Sequence, residues 1–330
     1  MRRRTGAATS RTSRRWPTTE DSGVAAAPDR WSQWLGERRD AGDDGQRRVW
    51  RGRLTAIRDR VLDQAGGLDG ATLLDVGCGD GLIGLEALDR VGQSGTVLFA
   101  DISPALLEQA EKAASDLGLA DRARFVHTDA VELGGIADGS VDVITTRSVL
   151  IYVVDKPAAF AAMHRVLRPE GRISLFEPIN ALMYPEPREQ LWGYDIAPLV
   201  DLADQIKREY KRLSGPETQT MLDFDDRDLV RWATEAGFPE VRLTLHHEVV
   251  PGAMRATSFD TFLDGAPNPL APTLRETIDS ALDGPERQQL LDYLHSRFTT
   301  TLPIQHWAVA YLQARRSYKS TDSASGISGA

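Results

Sequence analysis

The sequence predicts an α/β fold built on a doubly wound, mainly parallel sheet, and three observations carry that prediction. Short apolar runs alternate with helical periodicity between residues 71 and 177, a pattern that needs crossover helices between parallel strands. The run Leu73-Leu74-Asp75-Val76 passes into Gly77-Cys78-Gly79-Asp80-Gly81 and then into a helix, so a glycine-rich turn joins strand to helix. A second acid, Asp101, ends the next strand, about 20 residues beyond the loop, where a doubly wound sheet places its ribose partner.

Taken in order, residues 31–64 carry apolar positions at Trp31, Trp34, Leu35, Val49, Trp50, Leu54, Ile57, Val61 and Leu62. The 49–62 part has helical spacing, and Ala41-Gly42-Asp43-Asp44-Gly45 divides the segment into two helices. Strands are expected at 71–76, 96–100, 123–127, 141–146 and 172–177, and helices at 81–90, 103–118 and 156–168. A short helix or turn falls near 130–136. Ser103 is a suitable N-cap with Pro104 at the first helical position. Residues 225–237 form another helix, stopped by Gly237. Residues 241–250 and 306–314 read as two further strands.

The glycine loop predicts a nucleoside-bearing ligand. Glycines permit the tight turn and bring bare backbone N–H groups, together with the following helix N-terminus, against it. The third glycine of Gly77, Gly79 and Gly81 comes one residue earlier than in a dinucleotide fingerprint. Asp75 beside the turn repels a pyrophosphate and attracts an ammonium, which suits an amino-acid-bearing nucleoside.

With LLDVGCGDG (73–81), FADIS (99–103), HTDA (127–130), DGSVDVITTRSVLIYV (138–153) and VLRPEGRISLFEP (166–178) in this order, the chain resembles the class I S-adenosylmethionine-dependent methyltransferases. The likeness covers roughly residues 55–250 and is strongest to the branch containing ubiquinone/menaquinone-biosynthesis C-methyltransferases. The resemblance implies a Rossmann-like, seven-stranded sheet whose last two strands form an antiparallel pair, and S-adenosylmethionine as cofactor. It also implies that Gly77, Gly79 and Gly81 lie under the methionine part, with Asp75 near its amino group. Asp101 would take the ribose hydroxyls with Ile102 flanking the adenine. Asp129 would accept from the adenine amino group beside the backbone of Ala130, and Arg147 and Ser148 would sit by the methyl donor.

Segments 178–224 and 251–304 each run to about 50 residues, far beyond an ordinary connection of ~4–6. Both follow strands at their carboxyl ends, where ligands bind, so with the N-terminal helices they are expected to form a helical lid over the pocket. Helical stretches within them are expected at 195–213, 273–281 and 285–298. A deep roof suits a small organic acceptor and obstructs a duplex or a folded protein. Glu177, ending the fifth strand, is the candidate general base, its alternative being a clamp on backbone donors; Tyr152 is a second polar candidate. His164 belongs to a surface, and His246 and His247 point to opposite faces of one strand. Tyr184, Trp192, Tyr194 and Tyr210 either wall an apolar acceptor or pack the lid. No Cys/His cluster exists and Cys78 is the only cysteine, so neither a metal site nor a disulfide is expected.

The net charge is −9 although residues 1–15 hold six arginines and no acid; so acidic a body argues against a nucleic-acid substrate. No run reaches the ~20 apolar residues of a membrane span, and with a single cysteine the cytoplasm is the expected compartment. The expected organisation is a disordered tail (1–28), an N-terminal lid segment (29–66), the cofactor-binding core (67–177) and a lid insertion (178–224). A core continuation (225–250), a second insertion (251–304), the last strand (305–316) and a loose end (317–330) follow. The function this supports is methyl transfer to a small, partly apolar molecule, with C-methylation of an isoprenoid or other specialised metabolite as the leading form. Rival readings are an NAD(P)-dependent oxidoreductase on the same topology and a non-catalytic S-adenosylmethionine-binding protein.

Overall fold

The computed structural model describes residues 26–252 and 255–317; the expectations for the two tails fall almost wholly outside them. Five parallel strands are laid down first: β1 (Thr72–Val76), β2 (Thr96–Asp101), β3 (Ala123–His127), β4 (Val141–Arg147) and β5 (Leu167–Pro178). A two-residue hairpin follows, β6 (Gln190–Leu191) and β7 (Tyr194–Asp195), and then the long strands β8 (Glu240–Pro251) and β9 (Ile304–Arg315). The seven-stranded sheet runs β3-β2-β1-β4-β5-β9-β8, with β9 antiparallel to both neighbours. The order reverses between β1 and β4, which puts a crevice beyond their carboxyl ends.

The helices are α1 (Arg30–Gln33), α2 (Asp44–Ala65), α3 (Leu82–Arg90), α4 (Pro104–Asp116), α5 (Lys156–Val166), α6 (Val200–Ser214) and α7 (Asp226–Glu235). Then come α8 (Phe259–Asp264), α9 (Leu274–Ala281) and α10 (Gly284–Thr300). Caps explain several boundaries. The Ser103 hydroxyl accepts from the Leu106 N–H and Pro104 opens α4; Asp225 caps α7, and Gly237 follows it at φ +99°. Trp34–Arg38 makes a wider turn that carries α1 toward α2.

Alternation along the strands sends side chains to two cores. Leu74, Ile144, Ile173 and Leu175 pack with α5 and α7 through Phe160, Met163 and Leu229. Leu73, Phe99, Val143 and Phe176 pack with α2, α3 and α4 through Leu62, Leu88 and Ala110. A third cluster joins the two insertions: Leu191, Ile196 and Ile206 of the first meet Leu263, Ile278, Leu290 and Leu294 of the second. The N-terminal segment is tied to the second insertion by Trp34 Nε1 donating to the Ala266 carbonyl at 2.9 Å. Asp43 accepts from the hydroxyls of Thr257 and Thr261 at 2.7 Å each. Among the described residues no helix is long and apolar enough to cross a membrane.

Candidate functional site

The carboxyl ends of β1–β4 open into a cavity of about 480 Å³, the size of a small-ligand site. Its floor is the turn after β1. Gly77, Gly79 and Gly81 all take positive φ (63°, 57° and 93°), a region that side chains rarely adopt. At Gly77 space is decisive as well: a Cβ there would stand 2.3 Å from Val149 Cγ2. The bare backbone at this point is therefore a packing requirement, not only a conformational one.

Asp75 is buried beneath the turn. Its carboxylate accepts the Gly84 N–H and the Thr145 hydroxyl, each at 3.0 Å, yet burial raises its pKa to about 7. Gly84 lies outside the Gly77-Gly79-Gly81 motif and has a role of its own. A Cβ on it would lie 2.2 Å from the Phe99 ring, so this glycine is what lets α3 lie against β2. Gly79, Gly81 and Gly84 thereby complete a G-x-G-x-x-G spacing one step along the chain, and the early third glycine loses its weight against a dinucleotide. The placement of Asp75 keeps its own.

Asp101 closes β2. Its carboxylate accepts the Gly79 N–H at 2.8 Å and the Ser103 N–H at 2.9 Å, and burial raises its pKa. One oxygen thus holds the glycine loop, and each keeps further acceptor capacity toward the cavity. Ile102 is 46% exposed and lines the cavity, a large apolar side chain positioned to cover the flat face of a base. Asp129 accepts the N–H groups of Val131 and Glu132 on Oδ1, and Ala130 lies beside it in the wall. These groups fit an adenosine carrying an amino-acid tail: two carboxylates for hydroxyl and amino donors, an apolar face, and bare backbone for the tail.

The cavity is further lined by Arg147, Ser148, Val149, Tyr152, Val153, Val154 and Asp155 from β4 and its loop, and by Trp31 and Trp34, while Leu35 lies over Gly79. Ser148 sits at φ +55°, held there by its N–H donating to the Phe176 carbonyl at 2.9 Å. Trp31 meets Tyr152 edge-on, with ring centroids 4.9 Å apart. Burial raises the Tyr152 pKa, so at neutral pH the phenol is a donor rather than a base.

Two expectations need correction, and a third resolves between its two alternatives. Glu177 is fully buried and does not line the cavity. Its carboxylate accepts the N–H groups of Val149, Leu150 and Ile151 at 2.9, 3.0 and 3.4 Å, which is the clamp and not the base. Tyr184, Trp192, Tyr194 and Tyr210 supply no cavity wall. Trp192 packs on Tyr210, and Tyr194 on Phe262 and Phe298. Lastly, neither insertion contributes a lining residue: the cover facing the cavity is Trp31–Leu35, and the insertions stand behind it. Two tryptophans three residues apart, just before the break between two helices, are the sequence signal for that cover.

An α/β sheet with a glycine loop, an acid ending its second strand and another just beyond its third defines a nucleoside-cofactor enzyme site. A methyltransferase-domain family model matches residues 68–213. The nocamycin O-methyltransferase of Saccharothrix syringae is 34% identical over 202 residues, 58% of this chain and 68% of that protein. The ubiquinone/menaquinone biosynthesis C-methyltransferase of Azotobacter vinelandii is 37% identical over 142 residues, 42% of this chain. The chain spans about half the length of that relative, at 53%. The corresponding protein of Teredinibacter turnerae is 30% identical over 207 residues, 60% of this chain and 76% of its own. The chain belongs to the class I S-adenosylmethionine-dependent methyltransferases, and its cofactor is S-adenosylmethionine.

Proposed function

We propose that this protein transfers a methyl group to a small, partly apolar organic molecule seated in the β4 half of the cavity. One observation carries the reading: the cavity has two chemically different halves, one with carboxylates and bare backbone, one walled by Trp31, Trp34, Tyr152 and Val153. When bound, the cofactor supplies an already electrophilic sulfonium methyl, so what remains is to hold an acceptor in line with it. In this reading Asp101 takes the ribose hydroxyls, Asp129 and Ala130 the adenine edge, and Ile102 its face. Gly77, Gly79 and Gly81 bring the backbone to the methionine tail, Asp75 neutralises its ammonium, and Ser148 shapes the wall next to it. Tyr152 donates to an acceptor oxygen and Trp31 orients the acceptor ring. The acceptor class extends to isoprenoids and other specialised metabolites, with carbon the first accepting atom to test.

The helical layer joins this proposal as a lid, since it is bonded through Ala266 to Trp34, a residue that lines the cavity. Two measurements test the reading. Thermal scanning should show stabilisation by S-adenosylhomocysteine and none by NAD(P). Methyl-labelled cofactor incubated with a metabolite extract should yield a labelled small molecule; label confined to protein or nucleic acid would overturn the acceptor class.

A further inference from the structure

Charge in the acceptor half of the cavity is unbalanced. Arg147 ends β4 and lines the cavity. Among the described residues its guanidinium has no hydrogen bond and no carboxylate at ion-pair distance; it interacts at longer range with Asp80, Arg39, Tyr152 and Asp75. Neither acid near it closes an ion pair, and Asp80 exerts the strongest charge interaction on it from a distance. Asp75 accepts from Gly84 and Thr145 and in the reading above also faces the cofactor's ammonium, Asp80 lies exposed at the rim, and Arg39 is a like charge paired with Asp40. Burial lowers the Arg147 pKa, the sign of a cation short of solvent. An unpaired cation in such a place is costly, and a partner that enters with the ligand removes that cost.

A second feature bears on the same point. Glu177 is turned away from the cavity and closed by three N–H groups, and Tyr152 is held protonated. Of the other carboxylates lining this side, Asp155 caps α5 by accepting the Ala158 N–H at 2.9 Å and Asp80 is exposed, so beside Tyr152 the half-buried wall offers a cation and a phenol donor. A neutral hydroxyl acceptor would find nothing there to take its proton, whereas an ionised one would find its charge matched.

Resting on the methyl-transfer reading above, we infer that Arg147 is an anion-recognition residue and that the acceptor is an apolar acid, carrying a carboxylate or an acidic phenol or enol oxygen. A lone pair of the ionised acceptor, on oxygen or on the conjugated carbon, forms the new bond to the methyl carbon. The methyl–sulfur bond breaks with its electron pair remaining on sulfur. For attack through oxygen no proton is left over; attack through carbon releases the one that carbon carried. The alternative source of the same charge is the carboxylate of the cofactor's methionine tail, and the test separates the two.

Calorimetry on the full chain loaded with S-adenosylhomocysteine would compare 2-naphthoate with its neutral isostere 2-naphthamide. The wild type should bind the acid at least tenfold more tightly. Arg147→Gln should erase the preference while holding S-adenosylhomocysteine within about twofold, and Arg147→Lys should restore part of it. No preference in the wild type overturns the inference. So does a tenfold loss of S-adenosylhomocysteine affinity in Arg147→Gln with 5′-methylthioadenosine, which lacks the carboxylate, unaffected; Arg147 would then belong to the cofactor. Failure of the wild type to bind S-adenosylhomocysteine would instead strike the methyl-transfer reading itself.

Discussion

The Glu177 carboxylate accepts the Val149 backbone N–H at 2.9 Å, and so holds in place the side chain that fills the space over Gly77. The end of β5, the loop after β4 and the glycine turn after β1 are thus locked through one acid. Glu177→Gln keeps the shape but sets an amide donor against backbone donors. Leaving such buried groups unsatisfied costs about 1–3 kcal/mol. The variant should melt several degrees lower and bind S-adenosylhomocysteine more weakly. A variant with unchanged melting and cofactor affinity but turnover reduced 10²–10⁴-fold would return Glu177 to the role of general base.

The same acid gives the protein a pH signature. Burial raises Glu177 to about 7 from 4.5, and Asp75 to about 7 from 3.8. Both folded values lie above the unfolded ones, so the native state binds the extra protons. Stability from these groups is fully present below about pH 4 and is lost as pH rises toward 7, by up to ~1.4 kcal/mol per pH unit for each. Melting temperature measured from pH 4.5 to 7.5 should therefore carry a downward contribution that is smaller in Glu177→Gln. An identical slope in the two proteins would show that Glu177 does not titrate in this window.

Gly77 tests the turn directly. An alanine at φ +63° costs roughly 1–2 kcal/mol in backbone strain alone, and its methyl would collide with Val149. Gly77→Ala should lose at least tenfold in S-adenosylhomocysteine affinity. Adding Val149→Gly should recover part of that loss, since it removes the collision and leaves the strain. Full affinity in the single variant would place the ligand away from this turn.

The elements that proved legible in the sequence are those whose signals are local. Ser103-Pro104 and Gly237 set helix ends by backbone chemistry, and the β1–turn–α3 unit announces itself by its glycines. The site was harder wherever a side chain's face decides its role. Glu177 ends a strand at the pocket end of the sheet, which suggested chemistry. Alternation along β5, however, puts it on the face of Ile173 and Leu175, toward α5 and the 149–151 loop. Tyr194 of the first insertion looks like part of a binding wall in composition alone, and only its packing partners Phe262 and Phe298 identify it as core. Gly84 was hidden because its purpose is to make room for Phe99, a contact between elements that no spacing records.

Asp101 performs two tasks that a pair of variants can separate. Its carboxylate organises the loop through Gly79 and Ser103 while facing the cavity. Charge-assisted hydrogen bonds to a ligand are worth roughly 1.5–3 kcal/mol each. Asp101→Ala and Asp101→Asn should both lower S-adenosylhomocysteine affinity at least tenfold by calorimetry. Only the alanine should also lower the melting temperature appreciably, because the asparagine oxygen can still accept from one backbone donor. Equal affinity in all three proteins would remove Asp101 from the ligand.

The helical layer makes the last prediction. Its two insertions share a core, and Asp43 ties the N-terminal segment to the second of them through Thr257 and Thr261. If the layer opens to admit the acceptor, residues 178–224 and 251–304 should exchange amide hydrogens faster than the sheet in the free protein. They should slow when cofactor product and an apolar acid are both bound. Asp43→Ala removes the acceptor of both hydroxyls and should speed exchange in 251–304 without touching the carboxylate half of the cavity. Because Trp31 and Trp34 line the acceptor half, the acceptor KM should rise several-fold while S-adenosylhomocysteine affinity stays within about twofold. Exchange in both insertions as slow as in β1 and β4, and indifferent to ligands, would mean that the layer is a fixed wall and that the acceptor enters elsewhere.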